Sequence, residues 1–328
     1  MKLLIATHHR LDLWIAPEWF TERLATDFPQ VHVIRFTSYE GIEKEIADAD
    51  IAFTFSLRPD QFQAARNLRW IHSPAAAVHQ FLFPELVNSD VILTNAREVH
   101  GPVVAEHVMA LIFALAKRIP DDVRYQQQHV WAQEIVWRGR PRPREIAGAT
   151  LGIVGLGSIG RNVARYAKAL GMRVIAVREH DNRNPQDFVD ECLPSSRLSE
   201  MLAQADYVVL AIPITAATRG MIGRDQLATM KPDAFLINVG RGPLLDEAAL
   251  IDALRQKKIG GAALDVFDQE PLPSDSPLWD LENLLITPHT AGMTDKLWHR
   301  HYELFSENLR RYLSGQSLLG LVDKKSGY

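Results

Sequence analysis

The sequence predicts an α/β protein made of two doubly wound, Rossmann-like domains with parallel sheets. Three observations lead there. The chain has 328 residues, more than one hydrophobic core comfortably serves, so two domains are the natural expectation. Its apolar runs are short, nearly continuous and separated by amphipathic stretches, as parallel strands covered on both faces should be. A glycine-rich turn joins one of these runs to a helix in the second half of the chain.

In order along the chain, "LLIA", "VHVIRF" and "IAFTF" read as strands, with "EGIEKEIADAD" as a helix between the last two. "VILT" and a polar turn lead into "GPVVAEHVMALIFALAKRI", a long helix with Pro102 in its first turn. In "YQQQHVWAQEIVWRGRPRPRE" proline and arginine replace apolar periodicity, so this segment is expected to be a surface connection, with Arg138, Arg140, Arg142 and Arg144 solvated. From Leu151 a second series follows: "LGIVG", "RVIAV", "YVVLAIP", "AFLINV", "GAALDV" and "LLITP". The last amphipathic stretch, "TDKLWHRHYELFSENLRRYLSG", comes after the final strand and is compatible with either domain.

Composition narrows the function classes. Thirty-six Lys and Arg against 40 Asp and Glu leave a formal charge of -4, which gives nucleic acid or an anionic membrane no electrostatic reason to bind. The single cysteine, Cys192, has no internal partner for a disulfide, which suits a reducing compartment. "MKLLIATHHR" turns polar too soon for a signal peptide, and the apolar run in "EHVMALIFALAKR" is shorter than the ~20 residues of a membrane span. A cytoplasmic location is expected, with no metal and no membrane or nucleic-acid partner.

"LGIVGLGSIGRNVARYAKALG" sets Gly155, Gly157 and Gly160 in G-x-G-x-x-G spacing, directly after a strand and opening a helix. Each glycine has a reason: a tight turn, close approach of backbone to a pyrophosphate, and close packing of helix on strand. A second strand at the right distance makes this a dinucleotide site rather than a bare turn. The position that meets the adenosine ribose, at the end of that strand, falls on Arg178. A carboxylate there favours NAD, whereas an arginine offers charge-assisted hydrogen bonds to a 2'-phosphate. NADP is therefore the favoured cofactor, with NAD the alternative if Glu179 holds the ribose instead; Arg183 is a candidate second cation at the phosphate.

Three stretches, "INVGRGPLLDE", "AALDVFDQEPLP" and "LLITPHTAG", each place a charged or titratable residue just past an apolar strand, at the edge where open α/β sheets bind ligands. Arg241, Glu270 and His289 are thus candidates for one site. A dehydrogenase of 2-oxo acids needs a cation for carboxylate and carbonyl, a proton donor for the developing alkoxide, and a group that keeps the donor protonated. Arg241 suits the first need, His289 the second and Glu270 the third. By spacing alone each is equally readable as a solvated loop residue or a helix cap.

These residues and their surroundings resemble the D-isomer-specific 2-hydroxyacid dehydrogenase family. "GIVGLGSIGR", "AIPITAATRGMIG", "MKPDAFLINVGRGPLLDEAAL", "GAALDVFDQEPLP" and "ITPHTAG" match it in order, from Leu151 to Gly292, while "AREVHGPVVAEHVMALIFALAKR" matches more loosely. The tail "LVDKKSGY" is similar to that of some members. The resemblance implies that Arg241, Glu270 and His289 are the catalytic set. It implies a cofactor domain over 99–291, inserted into a substrate domain formed by 1–98 and 292–328, with a cleft between them that closes on substrate. Ser158, Ile159, Pro213 and Val239 join the glycines as implied cofactor contacts, Thr218 borders the phosphate and ribose side, and Asp265 meets the nicotinamide carboxamide. Ala76, Ala77 and Val78 are implied as the loop whose amides receive the substrate carboxylate; here the chain has three alanines, then Val78 and His79, where the family often has glycine. Arg178 departs from the NAD-type pattern toward NADPH-preferring members. The long helix would link the two domains, and a homodimer with this linking region at its interface is also implied.

The expected activity is reduction of a 2-oxo acid, glyoxylate, hydroxypyruvate or one modestly larger, with His289 as proton donor. Two other readings stand beside it: oxidation of an anion such as phosphite, and a dinucleotide-sensing binding protein similar to corepressors of this fold. Trp131, Trp137, Trp279 and Trp298 are candidates either for lining the cleft or for filling cores.

Overall fold

The computed structural model describes residues 1–9, 11–38, 40–179, 188–325 and 327. The chain divides into two compact units, one formed by Met1–His100 with Met293–Tyr328 and the other by Gly101–Gly292.

The first unit holds β1 (Lys2–Ala6), β2 (His32–Phe36), β3 (Ile51–Thr54), β4 (Trp70–Ser73) and β5 (Ile92–Asn95), all parallel in the order β2-β1-β3-β4-β5. Because side chains alternate across a strand, neighbouring residues of β1 feed different cores. Leu3 and Ile5 pack with Phe53 and Trp70 against Phe20 and Leu24 of the helix Glu18–Asp27 and against Phe305 and Leu309 of the C-terminal helix Leu297–Leu313. Leu4 and Ala6 face the other way, onto Ile42, Ile46, Phe81 and Leu86. The C-terminal helix therefore belongs to this unit, which settles a choice the sequence left open. Trp298 is a core residue of it, with its indole N–H donating to the carbonyl of Leu13 at 2.8 Å.

The second unit holds β6 (Thr150–Val154), β7 (Arg173–Arg178), β8 (Glu191–Pro194), β9 (Tyr207–Leu210), β10 (Phe235–Asn238), β11 (Gly261–Leu264) and β12 (Leu284–Ile286). All are parallel, in the order β12-β11-β10-β9-β6-β7-β8. One face carries the long helix Arg97–Lys117, through Val108 and Ile112, and the helix Ser158–Ala169, through Val163 and Ala167. The other carries the helices Leu198–Gln204, Arg224–Thr229 and Glu247–Arg255. The strand order reverses between β6 and β9, the place where doubly wound sheets bind ligands beyond their carboxyl ends.

Several local expectations are corrected. The long helix begins at Arg97, so Pro102 lies inside it rather than in the first turn, and one helical N–H is missing there. The helix is also long and apolar enough to match a membrane span, but 56% of its most apolar window is buried within the protein, as in a core helix. The segment after it runs largely over the surface, as expected, but part of it is regular: the helix Ile119–Gln127 leads into it and Gln133–Arg138 is a further helix. Arg144 is not solvated either. It lies over the rings of Tyr207 and Phe235, 4.9 Å from each centroid, and donates to the Tyr207 hydroxyl at 3.1 Å and the Asp233 carbonyl at 2.6 Å. Cation–π contact, one carbonyl and one hydroxyl acceptor compensate its charge where the sequence showed only a run of arginines.

Candidate active site

The cofactor side of the site is built at the end of β6. Gly155 has φ +98°, and an added Cβ would come 2.3 Å from the Ile212 side chain and 2.8 Å from the Ala211 carbonyl oxygen. Gly160 sits so close beneath the turn that a Cβ would meet the Gly155 carbonyl oxygen at 2.0 Å. Gly157 differs: a Cβ there would meet nothing within 4 Å. Its bareness is not needed for packing, which leaves close approach of a ligand as the reason for glycine at this point. Ser158 and Ile159 then open a 12-residue helix with no acidic residue in its first turn, so its N-terminal N–H groups face an anion without competition. These features fit a dinucleotide pyrophosphate.

Arg178 is the last residue of β7 and is half-buried, while Glu179 beyond it is exposed. Arg183 lies outside the described residues. In the turn after β9 the Thr218 hydroxyl donates to the Pro213 carbonyl at 2.9 Å and accepts from the Thr215 amide at 2.8 Å. Its hydroxyl is thus engaged in shaping the turn. Val239, just past β10, points its side chain into the core and leaves only its backbone to offer a ligand.

Arg241 follows three residues after β10 on a locked bend. The Asn238 side chain donates to the Arg241 carbonyl at 2.9 Å and accepts from the Gly240 amide at 3.0 Å, and the guanidinium donates to the Gly240 carbonyl at 2.6 Å. Gly242 is pressed against Phe267, where a Cβ would fall 1.9 Å from the Phe267 carbonyl carbon. That contact brings the segments carrying Arg241 and Glu270 together. Burial lowers the Arg241 pKa and Glu270 opposes the shift; a guanidinium stays charged in either case.

His289 and Glu270 form the closest pair. His289 Nδ1 lies 2.6 Å from Glu270 Oε2, and Glu270 Oε1 accepts the Phe267 amide at 3.0 Å. Burial alone would raise the Glu270 carboxyl, but the hydrogen bonds from His289 and Phe267, with the His289 and Arg241 charges, bring it below its ordinary value. The hydrogen bond to Glu270 raises the His289 pKa, outweighing partial burial. His289 itself sits at φ +55°, a conformation non-glycine residues seldom adopt. Two bonds hold it there, from its amide to the carbonyls of Asp265 (2.9 Å) and Thr287 (3.0 Å).

Asp265 is buried and already engaged: it accepts from the Thr287 hydroxyl at 2.6 Å and from the Thr290 and Ala291 amides at 2.9 and 3.1 Å. Its first role is to fix the loop that presents His289. Sequence reasoning missed the groups behind it. His107, from the long helix, lies 3.1 Å from the Thr287 hydroxyl and 3.7 Å from Asp265. Burial lowers the His107 pKa against the pull of Asp265. A lone histidine in an apolar helix gave no signal, and neither did Thr287 or Asn238.

The predicted substrate loop belongs to the first unit, beyond β4. Ala76 is exposed, Ala77 half-buried, and the Val78 side chain is in the core. Among the described residues none of their three amides donates to another protein group, so they are available donors. Around the same sheet edge Trp14 contacts Phe55 and His9 edge-on at 6.4 Å, and His100 at 6.3 Å. The other tryptophans divide: Trp279 donates to the Pro273 carbonyl at 2.8 Å, Trp137 lies under Arg142, and Trp131 is 90% exposed.

Comparison with known proteins identifies the family. Residues 109–291 match the family model described as "D-isomer specific 2-hydroxyacid dehydrogenase, NAD binding domain". A glyoxylate reductase of Korarchaeum cryptofilum is 34% identical over 293 residues, covering 88% of this chain and 87% of that protein. A D-isomer-specific 2-hydroxyacid dehydrogenase of Xanthobacter autotrophicus, solved with NADPH and MES, superposes with a TM-score of 0.84 at 29% identity over 99% of both chains. An NADPH-dependent glyoxylate/hydroxypyruvate reductase of Sinorhizobium meliloti, solved with NADP and sulfate, gives a TM-score of 0.83 at 27% identity over all of both chains. With its glycine turn, its His289–Glu270 pair and Arg241 on an NAD-binding sheet, the chain belongs to the D-isomer-specific 2-hydroxyacid dehydrogenase family and is an oxidoreductase.

Proposed function

We propose that the protein reduces a small 2-oxo acid, glyoxylate, hydroxypyruvate or a modestly larger one, and that it prefers NADPH. The observation that carries the reading is the 2.6 Å contact between His289 and Glu270, within reach of the Arg241 charge. The reduced nicotinamide, when bound, supplies the hydride for C2 of the oxo acid. The chain's own groups do the rest. Glu270 holds Nδ1 of His289, so Nε2 is the nitrogen that donates a proton to the carbonyl oxygen. Arg241 holds carboxylate and carbonyl and offsets charge developing on the oxygen. The amides of Ala76, Ala77 and Val78 receive the carboxylate. Asp265 keeps the His289 loop in place and would be the residue to meet the carboxamide of a bound nicotinamide.

The NADPH preference rests on Arg178 at the end of β7, and both compared structures were solved with the phosphorylated cofactor. We also infer a homodimer. Val130, Trp131, Ile135 and Trp137 expose large apolar side chains on one short stretch, more than isolated surface residues need. Light scattering during size exclusion would show a mass near twice 37.0 kDa, and a monomer at micromolar concentration would refute it.

The test of the reaction is a panel of 2-oxo acids with product configuration determined. Formation of D-2-hydroxy acid from at least one small member supports the reading. L-product, or turnover of phosphite with oxidised cofactor and of no oxo acid, overturns it.

A further inference from the structure

Beyond Gly315 the chain does not simply trail off. Leu318 packs into one core of the first unit and Val322 into the other. Between them the backbone runs antiparallel to β5. Thr94 and Leu321 bridge, the Asn95 amide donates to the Gly320 carbonyl at 2.9 Å, and the Val322 amide donates to the Leu93 carbonyl at 2.9 Å. The tail thus covers the otherwise unpaired edge of β5.

It is fastened at both ends. Asn308 of the C-terminal helix grips the Leu319 backbone twice, accepting its amide at 2.7 Å and donating to its carbonyl at 3.0 Å. The Arg97 guanidinium donates to the Leu321 carbonyl. The Lys324 ammonium donates to three carbonyls, Leu86 at 3.0 Å, Ser89 at 2.6 Å and Val91 at 2.9 Å, so all three of its protons have acceptors. Gly320 is held at φ +67°, and a Cβ there would stand 2.5 Å from the Asn95 carbonyl oxygen.

Asn95 connects this fastening to the substrate loop. Its backbone is paired to the tail, and its buried side chain donates to the Ala76 carbonyl at 2.7 Å. Next to it, the Ala96 amide donates to the Ala75 carbonyl at 3.3 Å. Ala75 and Ala76 are otherwise tied only by the Ala75 amide's 3.2 Å bond to the Ser73 hydroxyl, among the described residues. A loop of three alanines has no side chain with which to set its own conformation. The Ala75 and Ala76 carbonyls are held from Ala96 and Asn95, while the Ala77 carbonyl accepts from Gln80 at 3.4 Å. β5 is held by β4 on one side and by the tail on the other.

We propose that Asn95 is a positioning residue for the substrate carboxylate and that the segment Leu318–Lys324 is the strap that holds it in register. Through these contacts the C-terminus sets the direction of the Ala76, Ala77 and Val78 amides. The inference rests on the assignment of those amides to the carboxylate. A displacement of about 1 Å at such a donor can cost up to roughly a hundredfold in rate, so the strap acts on substrate affinity without touching substrate.

The test compares the full-length protein with Asn95→Asp, which keeps the shape but replaces the donor with an acceptor facing the Ala76 carbonyl. It also uses Gly320→Ala and Lys324→Met, which disturb the strap and leave Asn95 itself unaltered. Three quantities are read: KM for the oxo acid, Kd for NADPH from its fluorescence, and the binding of oxamate, a non-reducible isostere of a 2-oxo acid, to the NADPH-loaded protein. The expected result is a KM and oxamate Kd raised about tenfold or more in Asn95→Asp and about threefold in the strap variants, with NADPH affinity within twofold of the parent. Folded variants with an unchanged KM and oxamate Kd, or with NADPH affinity weakened in step, overturn the proposal. If the unaltered protein turns over no oxo acid and binds no oxamate, the reductase reading is what fails. If Asn95→Asp does not fold, the two strap variants decide alone.

Discussion

His289 Nδ1 and Glu270 Oε2 lie 2.6 Å apart, and the histidine is held for that contact in a left-handed backbone conformation, φ +55°. The carboxylate raises the His289 pKa, so the imidazolium needed for reduction persists to higher pH than an ordinary histidine would allow. Reductase activity should therefore be retained at low and neutral pH and fall as pH rises through the His289 pKa. Replacing Glu270 by Gln removes the raising charge, and the falling limb should move toward acid. An unmoved limb in the kcat/KM profile would show that Glu270 does not control the proton donor.

Arg241 has a rigid bend beneath it and a planar fork to present. Arg241→Lys keeps the charge and loses the fork, so kcat/KM for the oxo acid should fall by about 10²-fold or more while the Kd for NADPH stays near the parent value. Equal loss of both would place Arg241 on the cofactor side instead.

The glycine turn gives a prediction in which stability and affinity separate. Gly157→Ala adds a Cβ where nothing lies within 4 Å, so Tm should stay within a degree or two of the parent by roughly the tolerance of surface changes. Dinucleotide affinity should nevertheless drop by about tenfold or more, because the pyrophosphate needs that space. Gly155→Ala, at φ +98° and 2.3 Å from Ile212, should instead lower Tm outright. Thermal melts with and without NADPH distinguish the two.

The first unit should be acid-labile. His72 is fully buried on Phe53, its Nδ1 2.8 Å from the Thr94 hydroxyl, and burial pushes its pKa down from 6.5 to about 3. Burial likewise holds His301 well below its ordinary value, helped by His100 and His72. A lowered histidine pKa means that the unfolded chain binds the proton first, so this contribution is intact above pH 6.5 and is lost as pH falls from there toward 3. For His72 alone the loss is on the order of 5 kcal/mol across that window. Melts from neutral pH to pH about 4.5 should show a steep decline, flattened in His72→Asn; parallel declines would refute the assignment.

Much of this was legible in the sequence for a physical reason: strands buried on both faces are apolar throughout, and the candidate catalytic side chains stand just past their ends. Arg241, Glu270 and His289 became candidates that way, and the resemblance to a known family, rather than their spacing, singled them out. What stayed hidden is what depends on contacts distant in sequence. β4 carries Trp70 and His72, and β8 buries fully only Leu193 of its four residues; neither shows a clear apolar run. The role of Asp265 is set by amides 25 and 26 residues away, and Asn95 is tied to a tail more than two hundred residues later. Arg144 shows the same limit from the other side, since no pattern in "RGRPRPRE" reveals the rings of Tyr207 and Phe235 beneath it.

The proposed preference for NADPH rests on Arg178 at the end of β7. Arg178→Asp should reverse the preference, lowering kcat/KM with NADPH by about tenfold or more and improving use of NADH. A variant that keeps the parent's preference would show that Arg178 does not read the 2'-phosphate.

The most direct measurement is the loss of nicotinamide absorbance when the purified protein is mixed with NADPH and glyoxylate or hydroxypyruvate, set beside the same assay with His289→Gln. Consumption by the parent, reduced by about 10²- to 10⁴-fold in the variant while NADPH still binds, is the predicted result. Equal rates in the two proteins, or no consumption by a parent that binds NADPH with any small 2-oxo acid, would contradict the account.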